Sequence, residues 1–117
     1  MPQADPATSA VLDREAALFR VGGDLDLLRE IAALFAEECP SVIQELRAAL
    51  AKGDAPAIGR AAHGLKGSAA NFGAGIAVEL AVRIEQEALA GRLDQAGPLV
   101  EALERALSTL LAELQKI

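Results

Sequence analysis

The apolar residues of this chain recur with the period of an α-helix almost from end to end, and only glycine and proline interrupt them. Leu28, Ile31, Phe35, Val42, Leu46 and Leu50 share one stripe between Asp24, a helix-capping residue type, and Lys52-Gly53. Pro40 falls inside this stretch. The stripe stays in phase across it, so one kinked helix is predicted rather than two. Cys39, beside the proline, reads as a small core residue. A short helix from Val11 to Arg20 is predicted ahead of it, with Leu12, Ala16 and Phe19 on the buried side and Val21-Gly22-Gly23 as its stop. Asp54 caps the next helix, which has Pro56 in its first turn and runs to Gly73. A fourth segment spans Ile76 to Ala90, with Ala77, Leu80, Ala81, Ile84 and Ala88 inward and Gly91 closing it. The last begins between Asp94 and Pro98 and carries Leu99, Leu103, Leu107, Leu110, Leu114 and Ile117. Short links between amphipathic helices imply antiparallel neighbours. The predicted fold is all-α, an antiparallel up-down-up-down four-helix bundle with a short extra N-terminal helix.

Composition agrees with this reading. The 117 residues suffice for one domain, and a chain with no Trp, no Tyr and three Phe is poorly suited to a β-rich core. Residues 1–10, with Pro2 and Pro6, read as a flexible lead-in, and 11–117 as a single domain. A net charge of −6 argues against a nucleic-acid binder, although an acidic domain still docks proteins through a local patch of opposite sign. Cys39 is the single cysteine, so no intrachain disulfide forms and a reducing compartment is natural. Met1 to Ala10 lacks the features of a signal peptide, and no apolar run has the length of a membrane span. A cytoplasmic, free-standing protein without membrane attachment is expected.

The only histidine, His63, sits in Ala61-Ala62-His63-Gly64-Leu65-Lys66-Gly67-Ser68-Ala69-Ala70-Asn71-Phe72-Gly73-Ala74. On a helix of roughly 100° per residue, Ile58, Ala62, Leu65, Ala69 and Phe72 form the core stripe and His63 lies opposite it. Gly59 and Gly67 stand one turn before and one turn after the histidine on its own face. A glycine within a helix costs about 0.5–1 kcal/mol relative to alanine, and this segment carries Gly59, Gly64 and Gly67. Either these glycines let another helix pack closely, or they bare the surface around a nucleophilic ring for an approaching macromolecule. Their position away from the core stripe favours the second. Lys66 and Arg60, each three residues from His63, place cations within reach of the ring, where an anionic group would be favoured.

Other chemistries find no support. No glycine-rich phosphate loop follows a strand, so the chain has no means of phosphorylating itself from ATP. One His and one Cys make no metal site, and Glu-x-x-His pairs for a bundle di-iron centre are missing. Ser68 is five residues from His63 and faces elsewhere, which makes a poor hydrolase pair.

The segment from His63 to Ala69, followed by Asn71-Phe72-Gly73-Ala74, resembles the histidine-containing phosphotransfer (HPt) domain of multistep two-component signalling. That family's pattern is roughly His-x-Leu-Lys-Gly-Ser-Ala with a Gly-Ala break into the next helix. The helix–proline–helix before it, and Val78-Glu79-Leu80 to Glu85-Gln86 after it, look like the same family, so the resemblance covers about residues 11–115. It implies that His63 takes a phosphoryl group from a receiver domain's aspartyl phosphate and passes it to a second receiver's aspartate. It implies that Lys66 holds the phosphoryl group or engages the receiver, and that Glu85 falls where a polar residue orients the imidazole. Gly59, Arg60, Gly64, Gly67 and Ala70 become the docking face. The implied partners are response-regulator receiver domains and a hybrid histidine kinase. No cofactor of the chain's own is implied, with Mg²⁺ on the receiver, and a monomer is expected. The expected module is thus a phosphocarrier rather than an independent enzyme. Two alternatives compete with this reading. The joint presence of His63 and Lys66 argues against a non-catalytic adaptor that only docks receivers. Gly64 and Gly67, where acidic and proline residues are usual, argue against the dimerisation segment of a sensor kinase.

Overall fold

The structure, a computed structural model, describes residues 10–117. Among them the chain forms five α-helices and no strand: α1 Arg14–Arg20, α2 Leu25–Lys52, α3 Ala55–Ala70, α4 Gly75–Leu89 and α5 Leu93–Leu114. Three of these start on an aspartate. The carboxylates of Asp13, Asp24 and Asp54 accept hydrogen bonds from the backbone N–H groups of Ala16, Leu27 and Ala57 at 3.0, 3.0 and 3.2 Å. Gly53, in the left-handed conformation with φ of 66°, ends α2. Pro40 lies within an unbroken α2 at an exposed position, as the in-phase stripe predicts.

Three expectations need correction. First, α1 does not bury Phe19, which is 86% exposed, and Leu12 and Ala16 are only half-buried. Asp13 caps the helix, so Leu12 precedes it and the 12–16–19 stripe never forms; the short helix is anchored through Ala17 instead. Second, α3 stops at Ala70 rather than Gly73, because residues 71–73 form the turn into α4. Third, α5 starts at Leu93, ahead of the predicted window, and takes Pro98 inside it. Pro98 is exposed, so the Asp94 carbonyl that loses its helical donor lies where water can satisfy it.

Helix α3 packs against α2 and α4, α4 also packs against α5, and α5 returns to α2; α1 lies on α2. The helical bundle closes over Leu28, Leu46, Ile58, Phe72, Ile84, Leu103, Leu107 and Leu110, all essentially inaccessible. Several stripe residues, among them Ile31, Val42, Leu50, Leu80, Leu99 and Ile117, stand only half-buried at the seams. Small residues take up the closest approaches: Ala32, Ala49, Ala62, Ala69, Ala77, Ala81 and Ala88 are buried between the larger ones.

The turn after α3 is held from outside. The Asp13 N–H donates to the Phe72 carbonyl at 3.0 Å, and the Ile76 N–H donates to the Ala10 carbonyl at 3.0 Å. The Phe72 ring packs on Phe35 of α2, centroids 5.3 Å apart. The lead-in read over residues 1–10 therefore ends on a tied residue, Ala10; the nine before it lie outside the described residues.

Candidate functional site

Burial of Ile58, Ala62, Leu65 and Ala69 fixes the rotation of α3 and turns His63 outward, with its side chain 67% exposed. On α4, burial of Ala77, Ala81, Ile84 and Ala88 does the same for the next chain segment and leaves Glu85 at the α3–α4 seam, half-buried. The two helices thereby set one carboxylate against two side chains of α3. Glu85 Oε2 lies 3.0 Å from His63 Nδ1, and Glu85 Oε1 accepts a hydrogen bond from Lys66 Nζ at 3.1 Å. The Lys66 hydrogen bond, and secondarily the one from His63, holds the Glu85 carboxyl below its ordinary range despite partial burial. Glu85 is thus an anion at neutral pH. An anionic acceptor assigns the hydrogen of the neutral imidazole to Nδ1, leaving Nε2 as the nitrogen with a free lone pair.

The sequence places Lys66 in reach of the space above the ring. The structure places its ammonium on Glu85, so lysine and histidine share one carboxylate. The glycine question is decided by space. Among the described residues, a Cβ added at Gly59, Gly64 or Gly67 would meet nothing within 4 Å, so none of the three permits a close contact with another of these helices. They bare the face instead.

Three open clefts border the ridge. One, of about 590 Å³ between α3 and α4, is lined by Ala55, Pro56, Gly59, Arg60, His63, Glu85, Ala88 and Leu89. A second, of about 450 Å³ between α2 and α3, includes Glu38, Cys39, Arg60, Gly64 and Ser68. Ala70 lines a third with Val78 and Val82. Arg60 thus borders two clefts, while Gly67 lies on the open ridge between His63 and Ala70. Leu89 is the residue that reading the sequence missed. It is 83% exposed beside the histidine cleft, one position off the buried stripe of α4 and in its last turn. A large apolar side chain out of phase with its helix's stripe is the available signal.

Fold and site together define a helical module built around one outward imidazole whose inner nitrogen is braced by an acid from the neighbouring helix. The Hpt domain family model matches residues 30–115, and the chain belongs to that family. Hpt proteins are phosphocarrier modules that carry out histidine phosphotransfer in two-component phosphorelays. Among solved structures, histidine-containing phosphotransfer protein B (HptB) from Pseudomonas aeruginosa is similar with 26% identity and a TM-score of 0.85, covering 92% of this chain and 94% of its own. The HPT domain of the Hpt sensor hybrid histidine kinase from Shewanella shares the fold at 17% identity and a TM-score of 0.79, over 91% of this chain and 92% of that one. No curated protein sequence matches. Among the described residues, no helix is long and apolar enough to cross a membrane.

Proposed function

We propose that this protein relays a phosphoryl group between receiver-domain aspartates through a phosphohistidine on His63 Nε2. The observation that carries the proposal is the Glu85-braced imidazole standing on a ridge that glycines keep bare. With the hydrogen on Nδ1, the Nε2 lone pair attacks the phosphorus of an incoming aspartyl phosphate. The P–O bond breaks towards the carboxylate, and the ring becomes a phosphoimidazolium with its Nδ1–H still donated to Glu85. No proton has to leave during the step, so no separate base is required. The return step is the reverse, with an aspartate carboxylate as nucleophile. What remains is in-line positioning and charge stabilisation. The receiver contributes its acidic pocket and Mg²⁺. This chain contributes the nucleophile, Lys66 for the phosphoryl group or receiver, and a docking face of Gly59, Arg60, Gly64, Gly67 and Ala70.

In this reading the four long helices run antiparallel, up-down-up-down, which their short links and ring of neighbours support. The module works as a cytoplasmic monomer with no ATP site or cofactor of its own, and its partners are receiver domains and a hybrid histidine kinase. The negative net charge supports protein rather than nucleic-acid partners.

The test mixes the purified protein with radiolabelled, phosphorylated receiver domains. Label is expected as an acid-labile, base-stable adduct that His63→Gln abolishes. Because His63 is exposed, that variant should melt as the wild type does, within about 0.5 kcal/mol of stability. Receivers that bind but transfer no label would assign the protein to the non-catalytic adaptors instead.

A further inference from the structure

We infer that the Glu85 carboxylate, beyond orienting the ring, keeps the phosphorylated His63 in its protonated and transferable form at neutral pH, and so sets how long the phosphohistidine lasts. The inference rests on the phosphohistidine reading above. A phosphoryl group on Nε2 has two possible leaving groups. If Nδ1 bears its proton, water or a carboxylate attacks phosphorus, the P–N bond breaks, its electron pair returns to Nε2, and neutral imidazole departs. If Nδ1 is bare, the same bond cleavage expels an imidazolate, a far more basic and slower leaving group. Transferability therefore follows the proton on Nδ1.

That proton faces an anion. Glu85 Oε2 stands 3.0 Å from Nδ1 and forms a charge-assisted hydrogen bond once the ring is cationic. The side chain of Glu85 is only 25% exposed, so water competes weakly for its oxygens. Of the other charged groups, Arg60 on the same helix lines the histidine cleft and Lys66 shares the Glu85 carboxylate, while Glu87 of α4 is paired with Arg92. Lys66 is occupied with Oε1 of the same carboxylate and tempers its charge without displacing it from Nδ1. Helix α2, on the other flank of α3, presents Glu38 and Glu45 to a cleft that Arg60 also lines but His63 does not. Glu85 is thus the one anion in contact with the imidazole among the described residues.

Glutamine at this position separates orientation from charge. Its amide oxygen still accepts from Nδ1–H, but it does not favour the cation. The experiment loads wild type, Glu85→Gln and Glu85→Ala with potassium phosphoramidate, a small-molecule donor that needs no receiver. Loss of phosphate from the adduct is then followed from about pH 5.5 to 9.5, where an imidazole titrates. In the wild type, loss is expected to slow as pH rises through the titration of Nδ1. Glu85→Gln should shift that profile to lower pH, lengthening the lifetime about five- to tenfold near neutrality, the change that a shift approaching one pH unit produces. ¹⁵N spectra of the loaded ring should show the same displacement of the Nδ1 titration. A Glu85→Gln profile that superimposes on the wild type while Glu85→Ala departs would reduce Glu85 to an orienting residue and overturn the inference. So would failure of phosphoramidate to modify His63. A shifted profile in a protein that no receiver labels would uphold this inference and sink the relay reading, so the two fail separately.

Discussion

Gly67 and His63 occupy one face of α3, and among the described residues nothing lies within 4 Å of where a Cβ at position 67 would stand. A side chain at position 67 would project into open space, so Gly67→Gln relieves a helix penalty of about 0.5–1 kcal/mol without a clash. The melting temperature of this variant should equal or exceed that of the wild type. Label transfer from a phosphorylated receiver should fall at least about tenfold, because the new side chain stands one turn from the nucleophile where the partner must approach. Chemical loading of His63 by phosphoramidate should persist, since a small donor needs no docking face. Normal receiver transfer by Gly67→Gln would remove close approach as the reason for these glycines.

The helices are separable by their punctuation, and the turn between α3 and α4 carries the most structural consequence. Gly73 has φ of +60°, and a Cβ there would lie 2.5 Å from the Asp13 Cβ and 3.3 Å from its backbone. Asp13 meanwhile caps α1 and donates its N–H to Phe72, so it has little freedom to retreat. Gly73→Ala should therefore destabilise by about 2–3 kcal/mol, combining left-handed strain with a steric contact. Thermal melts compared with Gly59→Ala, a helical position with open space, provide the control. Gly59→Ala should be neutral or stabilising. The sequence motif marks Gly73 as a helix breaker, but the partner that makes it intolerant of a side chain is sixty residues away.

Across the whole molecule, surface carboxylates tie the helices together. Glu104 of α5 takes a bidentate contact from Arg47 of α2, Glu85 of α4 holds His63 and Lys66 of α3, and Glu87 holds Arg92 just before α5. In each case a hydrogen bond from the cationic partner, Arg47, Lys66 or Arg92, is the main cause of a carboxyl held below its ordinary range. Such a group binds its proton more weakly folded than unfolded. Its contribution is fully present above the unfolded value, about 4.3 for glutamate, and is lost as pH falls through the folded value. Stability should be level through neutrality and decline below about pH 4.5, with Glu104→Gln showing a shallower acid limb in denaturant titrations across that range. All three pairs lie at the surface, the two arginines mostly in solvent and Lys66 and the carboxylates half-buried, so each one's share is small.

Much of the protein is local, and that part was legible in the residues. Helical period placed four long elements, and aspartates and glycines placed their ends, because caps and φ preferences act over one turn. The same period turns His63 away from the core without reference to any neighbour. It failed on α1, where a two-turn helix has too few residues for a stripe to outweigh the placement of its cap. Tertiary structure decided the rest. Glu79, Arg83, Glu85, Gln86 and Glu87 are all polar positions on α4, and the residues themselves do not say which one meets the histidine. Family resemblance singled out Glu85, and the packing of α4 on α3 brings it to 3.0 Å from the ring across 22 residues of chain. The sharing of that carboxylate with Lys66, the exposure of Leu89 and the clefts beside the ridge arise likewise from how two helix surfaces meet, which no single helix's sequence contains.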